Sequence, residues 1–73
     1  MAYEPYQQRV IAERDELNRR LITLNDFINP RNPVYSALRE REKFLAHYQD
    51  IIMQDYLSLL DERISLFNRE GAE

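Results

Sequence analysis

The sequence contains no cysteine, which excludes disulfides and thiolate metal sites. Its single histidine, His47, excludes a histidine cluster. There is one glycine, Gly71, and there are three prolines, Pro5, Pro30 and Pro33. Long stretches therefore carry no helix breaker. No apolar run approaches the roughly 18 residues of a membrane span, and no secretory signal is visible. These absences make a soluble, cytoplasmic protein the expectation. Neither sign of charge dominates: ten Lys and Arg are scattered among thirteen Asp and Glu, for a net charge of −3. Without a basic face, nucleic acid is not an expected partner. There is no Gly-rich phosphate loop, no His-Glu-x-x-His pair and no nucleophile beside a base. The protein is therefore expected to be neither an enzyme nor a holder of metal or cofactor.

What is present is a mixture of 32% charged and 44% hydrophobic residues, typical of amphipathic helices. At 73 residues the chain is read as one domain, 1–73. A chain this short buries only about 60% of its unfolded surface. Small domains usually need a staple, and with disulfides and metal excluded, self-association remains.

Pro5 suits the first turn of a helix. From there Tyr6, Val10, Leu17, Leu21, Leu24 and Ile28 recur at helical steps, which predicts a helix over 5–28. Asn29-Pro30-Arg31-Asn32 ends it, with Asn32 an N-cap and Pro33 an N1 residue for a second helix over 33–69. The short turn, 29–32, makes the helices antiparallel neighbours. The expected fold is all-α: a two-helix hairpin with a longer second helix, assembling into a helical-bundle homo-oligomer.

The second helix carries two apolar seams. Leu38, Leu45, Tyr48, Ile52, Tyr56 and Leu59 suit packing on the first helix. Gln49, Met53, Tyr56, Leu60, Arg63 and Phe67 form another. Because the helices differ in length, the segment from Ser58 to Arg69 is expected to overhang and expose its apolar residues. Gln49, Met53, Leu60, Ile64 and Phe67 are therefore the expected oligomer interface.

Polar residues on these seams are the informative ones. Glu13, Gln49 and Arg63 either fix register or line a pocket between subunits. A tight hairpin puts Glu13 near Tyr48 and Gln49, and leaves Arg63 beyond the first helix, where a partner comes from another chain or a ligand. His47 has Asp50 on its face and reads as solvated. Asp15 and Arg19 read as a surface ion pair worth about 0.3–0.5 kcal/mol. Tyr3, Tyr6, Gln7, Gln8 and Arg9, with Tyr56 roughly opposite, offer rings for stacking and a guanidinium for phosphate.

Taken together, Gln7-Gln8-Arg9-Val10, Glu13, Glu16-Leu17, Leu21, Leu24 and Phe27-Ile28 have a recognisable pattern. It continues through Leu38, Glu42, Leu45, Gln49, Met53, Tyr56, Leu60, Arg63-Ile64 and Phe67. The chain resembles the short helical-hairpin proteins of tailed bacteriophages and prophages, the crAss-phage-related small proteins. The loop Asn29 to Pro33 and the pair His47-Tyr48 depart from that pattern. The resemblance implies a counter-defence protein that oligomerises and sequesters a host nucleotide immune signal, cyclic or ADP-ribose-type. Its ligand contacts would be Tyr6, Gln8, Arg9, Tyr56 and Arg63. Two alternatives stand beside it: an inhibitor or adaptor that grips a host defence protein through an acidic helical surface, and a purely structural phage oligomer. On the resemblance, Arg63→Ala and Tyr56→Ala abolish ligand binding in a calorimetric titration and leave the oligomer assembled. Loss of assembly in both variants would favour the structural alternative.

Overall fold

The computed structural model describes residues 3–72, and their side chains as far as Phe67. Three helices follow in order: α1 Pro5–Phe27, α2 Pro33–Ser36 and α3 Glu40–Ala72. Among the described residues there is no strand. α1 packs against α3, in a rod of 53 × 16 × 15 Å.

α1 begins where the sequence places it. Pro5 occupies the first turn, and the Glu4 N–H donates to Gln7 Oε1 at 2.8 Å. Gln7 is buried by this closure. α1 ends at Phe27, with the Ile28 N–H still bonded to the Leu24 carbonyl. Asn29 Oδ1 accepts from the Arg31 N–H, and Asn32 Oδ1 accepts from the N–H groups of Val34 and Tyr35. The turn chemistry is as expected, but the helix it starts is not. The expected continuous helix over 33–69 is divided. α2 lasts four residues, the chain bends through Ala37–Arg39, and α3 then runs on through Gly71 to Ala72. Ser36 Oγ donates to the Pro30 carbonyl at 2.5 Å. Tyr35 is buried, edge-on to Phe27 at 5.7 Å and bonded through its hydroxyl to His47 Nε2 at 2.8 Å. These contacts fold α2 back over the end of α1 and interrupt a segment that has no breaker of its own. His47, read as solvated beside Asp50, is thus tied to Tyr35.

Two polar pairs set the register of α1 on α3. Arg14 Nε donates to Asp61 Oδ1 at 2.7 Å, and Asn25 Nδ2 donates to Asp50 Oδ2 at 3.0 Å. Gln54 also donates to Asp50, which is buried. Both cross-pairs fall eleven residues apart on each helix, so they describe one antiparallel alignment. Val10, Leu17, Leu60 and Phe67 form the core, with Ile11, Met53, Leu57 and Ile64 packed on it.

This register corrects three expectations. The C-terminal half of α3 does not overhang; Leu60 is 0% exposed and Phe67 is buried against α1. The uncovered length lies at the loop end, where α2 and the first turns of α3 replace the start of the expected second helix. Met53, Leu60, Ile64 and Phe67, expected at an oligomer interface, instead make up the intramolecular core. The seam through Leu45, Tyr48, Ile52, Tyr56 and Leu59, expected against α1, faces outward. Glu13 accordingly lies level with Glu62 and not with Gln49, and Arg63 is flanked by α1 near Ala12.

Leu60→Ala is expected to lower unfolding stability by about 2–5 kcal/mol in urea. Ile22→Ala, on the exposed side of α1, should cost less than about 1 kcal/mol in the same assay. Equal losses would contradict the register.

Candidate functional site

A groove of about 800 Å³ runs along one side of the α1–α3 seam, open to solvent. Leu17, Leu24 and Phe27 of α1 and Met53 of α3 give it an apolar floor. Glu16, Arg19, Arg20 and Thr23 of α1 and Gln49 of α3 supply its polar groups. The register places these residues together, since the Asn25–Asp50 pair holds the last turns of α1 beside the stretch of α3 that carries Gln49 and Met53.

Glu16 organises the charge. Its two carboxylate oxygens accept from Arg19 Nη2 at 2.5 Å and from Arg20 Nε at 3.2 Å. Hydrogen bonding to Arg19, with the charge of that guanidinium, holds the Glu16 carboxyl below its ordinary pKa. The expected Asp15–Arg19 pair is not the one formed: Arg19 turns to Glu16, and Asp15 lies 3.5 Å from Arg14 Nη1. One carboxylate shared by two guanidinium groups leaves the rim with a net positive charge. Thr23 Oγ1 donates to the Arg19 carbonyl at 3.1 Å, which leaves the lone pairs of its oxygen available as acceptors. Gln49 Nε2 lies 3.8 Å from Met53 Sδ, a weak contact that a better acceptor would displace. An aromatic ring on an apolar floor, two guanidinium groups and an amide suit a planar ligand that carries negative charge.

The ligand residues expected from sequence lie outside the groove. Tyr56 and Arg63 follow Gln49 at seven-residue steps along the same strip of α3, roughly 10 and 21 Å beyond it. Tyr6 shares a strip of α1 with Arg20 and Phe27, also at seven-residue steps, but sits at the far end with its ring edge-on to Phe67 at 5.9 Å. Arg9 is exposed and falls in line with Glu16 and Thr23. Gln8 falls in neither line; its Nε2 donates to the Tyr3 carbonyl at 2.9 Å. None of Tyr6, Gln8, Arg9, Tyr56 and Arg63 lines the groove, and the structure does not bring them together. Arg20, Phe27 and Thr23 were missed. Their signal was present as an acid with two arginines three and four residues on, ending in an aromatic residue.

A family model described as Sequestin matches residues 4–66. The chain belongs to the Sequestin family. The match spans both walls of the groove and includes Tyr56 and Arg63. It is consistent with a small phage-type sequestering protein, and the Sequestin name is compatible with sequestration of a molecule. No curated protein and no solved structure matches the chain significantly. No helix among the described residues is long and apolar enough to cross a membrane.

In this Sequestin-family chain the Glu16 ion pairs persist above the usual carboxylate range. Because the folded pKa is the lowered one, the pairs are lost only as pH falls through that lower value. An NMR titration of the Glu16 carboxyl should have its midpoint below 4.5, and Arg19→Ala should move it upward. A midpoint at or above 4.5 in the parent would show that the pairs do not form in solution.

Proposed function

We propose that the protein binds a nucleotide signal of host immunity, of the cyclic or ADP-ribose type, and holds it without turnover. It acts by stoichiometric capture, as a phage counter-defence protein in the cytoplasm of the infected bacterium. The observation that carries this reading is the pairing of Arg19 and Arg20 with the Phe27–Met53 floor in one groove. A base packs on Phe27, Leu24 and Met53. A phosphate competes with Glu16 for the two guanidinium groups, with Gln49 and Thr23 reading the sugar or base edge. Membership of the Sequestin family supports capture as the activity.

Binding without turnover agrees with the chemistry of the groove. Glu16 is a poor base because its pKa is pulled down. His47 is bonded to Tyr35 at the loop end and does not line the groove.

Native mass spectrometry tests this directly. Protein from host cells making the signal should carry an extra mass of roughly one nucleotide per site, and protein from signal-free cells should not. Arg20→Ala should weaken capture at least about tenfold, as loss of a charge-assisted hydrogen bond to phosphate requires. Phe27→Ala should do likewise. A clean spectrum from signalling cells would overturn the reading. A co-purifying host protein without added small-molecule mass would replace it with inhibition of that protein.

A further inference from the structure

We infer that the outer face of α3 pairs antiparallel with the same face of a second copy, and that this pairing returns Arg63 of the partner subunit to the groove. The pairing stands without the nucleotide reading; the role given to Arg63 rests on it.

The two helices have unlike outer faces. On α1 the large exposed apolar residues among those described are Tyr6, in its first turn, and Ile22. On α3, Leu45, Tyr48, Ile52, Leu59 and Leu66 are each 47–53% exposed. Their spacings, with Tyr56 and Arg63 between them, keep them on one stripe roughly 31 Å long. A lone copy leaves that stripe in water.

Symmetry identifies the occupant. A twofold contact requires a patch that is complementary to itself. The stripe is symmetric about the midpoint between Asp55 and Tyr56. Antiparallel pairing about that point sets Leu45 opposite Leu66 of the partner subunit and Ile52 opposite Leu59 of the partner subunit. Tyr48 meets Arg63 of the partner subunit, an aromatic ring against a guanidinium. Asp55 meets Tyr56 of the partner subunit. Parallel pairing would instead set Arg63 against Arg63 and Asp55 against Asp55, which like charges oppose. Area agrees. A compact monomer of 8.9 kDa exposes about 4,800 Å², whereas this chain exposes 5881 Å². The surplus is of the order of the ~800 Å² that each partner buries in a stable interface.

The pairing also explains a seam arginine. Within its own chain Arg63 stands roughly 21 Å from Gln49. Across the pair, Arg63 of the partner subunit lies level with Tyr48, beside Gln49 at the end of the groove. Each groove then gains one cation from the other copy.

The test uses the full chain, whose lack of cysteine makes introduced cysteines unambiguous. Sedimentation equilibrium should give twice the chain mass, and Leu59→Glu should halve it while circular dichroism keeps its helical signal. On oxidation, a mixture of Leu45→Cys and Leu66→Cys chains should cross-link to each other, and neither should cross-link alone. Arg63→Ala should keep the dimer mass and lose the retained nucleotide mass. A monomeric parent, or Leu45→Cys cross-linking to itself, would overturn the pairing. A dimer of the expected cross-linking pattern that never retains nucleotide leaves the pairing in place and removes the ligand reading. Nucleotide held by a monomer does the reverse.

Discussion

Two polar contacts, Arg14 with Asp61 and Asn25 with Asp50, hold α1 and α3 at a single register. Apolar seams alone specify that register weakly, because a heptad-like stripe slipped by one repeat still meets apolar residues. A slip here would separate both pairs at once and leave Asp50, which is buried, without Asn25 as a donor. The same alignment buries Leu60 and Phe67 and brings Gln49 and Met53 beside Arg20 and Phe27. The core and the groove are therefore consequences of one choice.

The core that results is narrow. Val10, Leu17, Leu60 and Phe67 line a single seam between two helices. Tyr35 adds a clasp at the loop end, where Phe27, His47 and the Lys43 ammonium, 5.7 Å over its ring, converge. A rod with so little interior exposes much of its apolar surface, and it does so unevenly, on α3 more than on α1. Arg19 and Arg20 are exposed on α1, while most of the large exposed apolar side chains lie on α3.

The groove depends on the same division of labour. Arg19 and Arg20 are kept close by Glu16 through solvent-exposed ion pairs, which are individually weak. Phe27 and Leu24 need rigidity, which comes from the Asn25–Asp50 contact and from Tyr35 packed edge-on to Phe27. The Sequestin family name is compatible with sequestration of a molecule.

The sequence by itself determined that the chain is helical and where α1 starts. It also set the punctuation at Asn29 to Pro33, because capping side chains and prolines act on their immediate neighbours. It located Gln49 and Arg63 as polar residues on a seam. Only the tertiary structure decided which seam of α3 faces α1. Both seams have helical spacing, and the choice lies with the Arg14–Asp61 and Asn25–Asp50 contacts. It also decided the bend at Ala37–Arg39, where no residue breaks a helix and contacts made by Tyr35 and Ser36 override local propensity. The groove was illegible for the same reason. Glu16, Arg19 and Arg20 read as an ordinary surface cluster until α3 supplies Gln49 and Met53 as the opposite wall.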